Sequence, residues 1–108
     1  MTTRRVEVVL QLPRPSGSKL QHELGAFARY CVMRIERDIG AREYWRVTIA
    51  ATVGGTFASL VVALDRGVET VQRGVGHDAA LAIWDAMCRI EETLRERASA
   101  QRVHDVVG

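Results

Sequence analysis

The chain has 108 residues, 47% of them apolar and 26% charged, a composition that supports one globular core and excludes a second. A formal charge of +2 and a pI near 8.8 permit contact with nucleic acid but fall short of a strongly basic binder. No run of about 18 apolar residues exists, so no membrane-spanning helix is expected. Lys19 is the one lysine among 15 basic residues. Such an arginine excess suits bidentate phosphate contacts, but codon usage is the preferred explanation. Cys31 and Cys88 are isolated, as expected of reduced thiols in a cytoplasmic protein.

In chain order, Val6, Val8, Leu10 and Leu12 alternate with Glu7 and Gln11, which predicts a first strand rather than a signal peptide. "PRPSGS" stops it, and Ser18 with Gln21 forms a plausible capping box. Leu20, Leu24, Phe27, Cys31 and Ile35 then recur at helical spacing up to Ile39, where Gly40 ends the helix. Three strand-like runs follow between Tyr44 and Arg73. Gly54-Gly55 is expected to form a tight hairpin turn with both glycines at positive φ, and Asp65-Arg66-Gly67 a second turn. A last helix is expected from about Ala79 to Ala100, buried through Ile83, Met87, Ile90 and Leu94.

The predicted class is therefore α+β, in the order β-α-β-β-β-α, with both helices on one face of a four-stranded sheet. Residues 1–100 form the single domain, and 101–108 read as a frayed C-terminal tail. The other sheet face would carry Glu7, Val9, Gln11, Arg46, Thr48 and Ala50, and is only half polar.

Some stretches imitate active sites. Gly74-x-Gly76-x-x-Ala79 spells a dinucleotide fingerprint, yet no second parallel strand with a ribose-binding acid follows it. The glycines are read instead as allowing a tight turn off a strand edge. In His77-Asp78 the aspartate stands where a helix N-cap belongs, and adjacent residues at a helix start do not form an acid–base dyad. No GxSxG motif surrounds Ser59 and neither cysteine has a sequence-local activating partner. "HELGA" at His22 begins like a zinc-protease helix, but Ala26 replaces the second ligand. No catalysis, metal or cofactor is expected.

The charges separate by helix. Lys19, His22, Arg29 and Arg37 point away from the first helix's apolar stripe, with Arg34 on its flank, and this basic face suits a phosphate backbone. The outward stripe of the last helix is mixed: Asp85, Arg89, Glu92 and Glu96. There Asp85–Arg89 and Glu91–Arg95 are pairs that merely solvate a helix. Trp84 borders the buried stripe and is read as packing rather than as a base-stacking platform.

The segment "HDAALAIWDAMCRIEETLRER" resembles the closing helix of the ribosome hibernation-promoting factor (protein Y) family. Asp78 matches its acidic cap, Ala82-Ile83 its Ala-Ile pair, and Arg89-Ile90-Glu91 its basic-aliphatic-Glu step. Arg34-Ile35-Glu36-Arg37 is a similar step on the first helix, and the resemblance covers roughly residues 5–98. Glu92 and Thr93 stand where the family usually carries a basic residue and Gln. The resemblance implies the short, single-domain form of a factor that binds the small ribosomal subunit and inhibits translation. It assigns Arg34, Arg37 and Arg89 to ribosomal RNA, and the basic face of the first helix adds Lys19 and Arg29 to the expected RNA-binding residues. A double-stranded RNA-binding domain is excluded by the extra first strand and by His-Asp-Ala-Ala where a lysine cluster belongs. The alternative is a protein-interaction module of the same fold, a homodimer through the sheet face bearing Val9 and Ala50.

Overall fold

A computed structural model describes the backbone of residues 5–11 and 18–107, with side chains over 5–11 and 19–100. The elements are β1 (Val6–Gln11), α1 (Ser18–Ile39), β2 (Tyr44–Ala51), β3 (Phe57–Asp65), β4 (Val68–Gly76) and α2 (Ala79–Val107). The expected order is found. α2 continues past Ala100 to Val107, beyond the point where the apolar pattern stops. Leu12 and the side chain of Ser18, and with it the proposed capping box, lie outside the described residues.

The four strands stand in the order β1-β2-β3-β4. β1 pairs parallel with β2, because α1 carries the chain back across the sheet, and the other two pairings are antiparallel. Strand alternation places Trp45, Val47, Ile49, Val61 and Ala63 on the face buried by the helices. α1 contributes Leu24, Ala28, Cys31, Val32 and Ile35 to that core, and α2 contributes Ile83, Met87, Ile90 and Leu94. The helices touch one another side by side, α2 lying across β3 and β4.

Local chemistry explains the boundaries. Gly40 takes a φ of 97° just after α1, and its N–H bonds to the Glu36 carbonyl at 2.8 Å. Asp78 caps α2: its Oδ1 accepts the Leu81 N–H at 2.8 Å while its carbonyl accepts the Ala82 N–H at 3.1 Å. Asp78→Ala should therefore cost about 1 kcal/mol in urea unfolding. Unchanged stability in that variant would show that the cap is idle.

The two hairpins differ from one another. Arg66 and Gly67, at φ 54° and 77°, form the two-residue turn that joins the paired residues Asp65 and Val68. Between β2 and β3 the expected two-residue turn is corrected. The ladder ends at Ala51–Phe57, and Thr52 to Thr56 form a longer loop in which Gly55 (φ 79°) but not Gly54 has positive φ. The Thr52 N–H to Thr56 carbonyl bond of 2.9 Å closes it.

The reading of Gly74 and Gly76 also needs correction. Both belong to β4, neither has positive φ, and no turn depends on them. They face inward beneath α2, which sits almost on the strand. A Cβ on Gly74 would stand 2.1 Å from the Ala86 backbone nitrogen, and one on Gly76 would stand 2.6 Å from that of Ala82. The glycines and alanines bring helix and strand into direct backbone approach.

Candidate nucleic-acid interface

α1 does not gather its basic residues into one patch. Lys19 and Arg37 share its outward line, but they are five turns apart, roughly 27 Å along the axis. Arg29 lies on the flank toward β1, where it lines a groove with Val6, Val8 and His22. Arg34 lies on the opposite flank, toward α2, its guanidinium carbon 5.1 Å from the centre of the Trp84 ring. The side chains named from sequence thus occupy three surfaces of one helix. The reason is the helical repeat, which turns residues five apart well away from each other.

Trp84 is 41% exposed and tilts against Phe27 with ring centroids 6.4 Å apart. It bridges the two helices, as the packing reading requires, and also leaves an aromatic surface beside the Arg34 cation. Such a cation–π contact contributes about 0.5–1 kcal/mol at an exposed site. Leu81 on α2 and Tyr30 on α1 are also exposed, at 49% and 53%.

The acids of α2 hold the fold together. Asp85 Oδ2 accepts the backbone N–H of Val75 at 3.0 Å, while Oδ1 faces Arg89 Nε at 3.3 Å. Asp85 therefore satisfies a donor on the open side of β4 and also lowers the positive potential around Arg89. Glu91 and Asp38 both hold the Arg95 guanidinium at 2.8 Å, linking α2 to α1. Glu92 and Glu96 stay exposed.

Glu36 is the most constrained charge of the site. Its carboxylate receives two bonds from Arg5 at 2.8 and 3.0 Å, the Arg42 N–H at 2.8 Å and the Trp45 indole N–H at 3.0 Å. Burial opposes its ionisation, but the Arg5 guanidinium and the two N–H donors outweigh burial and hold its pKa down at about 2. Glu36 thereby neutralises Arg5 and ties the end of α1 to the starts of β1 and β2. Sequence reasoning saw it only as part of a charged step, because its partners lie up to 31 positions away.

The nucleophile candidates are disarmed by their surroundings. Burial pushes the Cys31 thiol up to about 11 and raises that of Cys88, so the reactive thiolate is suppressed at neutral pH. Among the described residues no group of His, Cys, Asp and Glu is arranged to hold a metal ion. None of their helices is long and apolar enough to cross a membrane. β4 is antiparallel to β3, so Gly74 and Gly76 border no parallel nucleotide crevice.

No family model and no curated protein matches the sequence. Solved structures do match the fold. The N-terminal domain of Thermus thermophilus protein Y superposes with a TM-score of 0.67 at 13% identity, over 85% of this chain and 97% of that one. A ribosomal subunit interface protein from Coxiella burnetii superposes with a TM-score of 0.64 at 13% identity, over 86% and 98%. The chain thus has the α+β fold of the protein Y N-terminal domain, in agreement with the resemblance carried by its last helix.

Proposed function

We propose that this chain is a non-enzymatic, ribosome-associated RNA-binding protein of the cytoplasm that inhibits translation by occupying the small subunit. The observation that supports this reading is the near-complete coverage of two solved domains, the protein Y N-terminal domain and a protein named for the ribosomal subunit interface. The outward line of Lys19 and Arg37, with Arg34 at the helix seam, supplies cations for a phosphate backbone. Arg29 and Arg89 are secondary, one turned into the β1 groove and the other paired with Asp85.

Phosphate-driven binding weakens as salt rises, because each neutralised phosphate releases a condensed counterion. The protein should therefore cosediment with purified small subunits in 50 mM salt and dissociate by 200 mM, a loss of about a thousandfold for six contacts. Replacing Arg29, Arg34 and Arg37 together with Glu should leave it folded and abolish cosedimentation, while Arg89→Glu should weaken it less. Cosedimentation of the triple variant at wild-type strength would overturn the assignment.

One observation favours a second reading, an interaction module that pairs through its sheet. The face opposite the helices carries Leu60, Val71 and Val75, 42–53% exposed, alongside the partly buried Val9, Ala50 and Val62. A salt-insensitive homodimer in analytical ultracentrifugation, without affinity for ribosomes, would establish that reading.

A further inference from the structure

α1 and α2 meet along a seam with a fixed register. The Phe27 and Trp84 rings lie 6.4 Å apart, and further along the seam Arg95 bonds Asp38 at 2.8 Å. In both contacts the α2 residue stands 57 positions after its α1 partner. A constant difference means that the two helices run in the same direction, and both rise equally per residue. Residues between the two contacts that share this separation therefore stand at the same height. Cys31 and Cys88 are such a pair.

Helical spacing turns them toward one another. Cys31 is one turn beyond Phe27, and Cys88 is one turn beyond Trp84. Each thiol thus follows, on the same stripe, an aromatic side chain already in contact across the seam. A second observation agrees. Burial is the main reason that both thiols titrate high, but Cys88 is itself a lesser cause for Cys31, and Arg34 opposes the rise in both. The two thiols and the Arg34 guanidinium therefore share one neighbourhood. Access differs between them, Cys31 being buried and Cys88 exposed.

We propose that Cys31 and Cys88 are a redox pair whose oxidation by a peroxide closes a disulfide between α1 and α2. The exposed Cys88 reacts first. Its thiolate attacks one peroxide oxygen, the O–O bond breaks, and the departing hydroxide takes up the thiol's proton, leaving a sulfenic acid. The Cys31 thiolate then attacks the Cys88 sulfur, the S–O bond breaks, and this second hydroxide takes up the Cys31 proton. Two thiols lose two electrons, and one peroxide becomes two waters. Because both thiolates are disfavoured at neutral pH, closure is slow. The pair answers sustained oxidation and stays reduced in a reducing compartment. It adjoins Arg34 and Trp84 but does not depend on the ribosome reading, and its test uses no ribosomes.

The folded, reduced chain is treated with hydrogen peroxide at low protein concentration, the remaining thiols are blocked, and the peptides are mapped by mass spectrometry. The expected product is a monomer lacking two hydrogens, with the Cys31 and Cys88 peptides linked. Its thermal midpoint should rise by about 5 °C or more, since the bond closes a long loop in the unfolded chain. Dithiothreitol should reverse that rise. Cys88→Ala, at an exposed position, should give neither the link nor the rise, and Cys31→Ala is the second control. A wild-type monomer whose thiols stay free, or in which Cys88 alone is oxidised, would overturn the proposal. So would dimers linked through Cys88, or a linked monomer with a lowered midpoint, in which the bond has been forced through an opened helix pair.

Discussion

Gly74→Ala should lower the stability of the protein by about 3 kcal/mol or more, a loss of more than about 12 °C in Tm. Overpacking a core usually costs about 1–3 kcal/mol, because side chains shift to make room. Here the added methyl meets the Ala86 nitrogen at 2.1 Å, the Ala86 Cα at 2.7 Å and the Ala82 carbonyl oxygen at 2.7 Å. These are backbone atoms, so relief requires α2 to lift off β4. Doing so opens the contact that buries Ile83, Met87 and Ile90. Gly76→Ala should follow at a smaller cost, its nearest clash being 2.6 Å. Gly54→Ala is the control: nothing lies within 4 Å of its Cβ position and its φ is not positive. Chemical denaturation of the three variants measures the ranking. A Gly74→Ala protein with a wild-type midpoint would show that helix and strand are not in backbone contact.

The second large effect is electrostatic and depends on pH. The Glu36 pKa is lowered from 4.5 to about 2, so the folded state binds its proton more weakly than the unfolded chain. The stability it contributes is therefore complete above about pH 5 and is lost as pH falls through about 2. A shift of this size corresponds to about 3 kcal/mol. The Glu36 side chain is only 10% exposed, which keeps solvent screening small. Glu36→Ala should remove about that much at pH 7, since it leaves the Trp45 indole and the Arg42 N–H without their acceptor. Glu36→Gln should be destabilised at pH 7 and lose less on acidification than the wild type. Urea midpoints measured from pH 7 to 2 decide the matter, and parallel acid slopes for wild type and Glu36→Gln would remove Glu36 as the source.

What could be read from sequence was what depends on near neighbours. Asp78 as a cap, Gly40 as a helix end and the turn at Arg66-Gly67 each involve a few consecutive residues, and all are present. The apolar stripes also placed both helices on one sheet face, because an amphipathic stripe must be covered. Gly74 and Gly76 were misassigned because a glycine in a strand signals either a turn or a close approach, and the approaching atoms belong to another element. Asp85 looked like a solvating charge for the same reason: its partner is a backbone N–H on β4. Of the candidate site, the identity of the basic residues was legible on α1. Their separation into a β1 flank, an outward line and a Trp84 flank required the neighbouring elements to be in place.

The parallel pairing of β1 with β2 has a consequence for biosynthesis. β2, β3, β4 and α2 follow one another through short connections, so each finds its neighbour soon after it is made. β1 is different: its ladder partner Trp45 follows Val6 only after all of α1 has been translated. At about 5–20 residues per second, that interval is roughly two to eight seconds. For that time a strand rich in valine and leucine waits outside the ribosome with neither of its edges occupied.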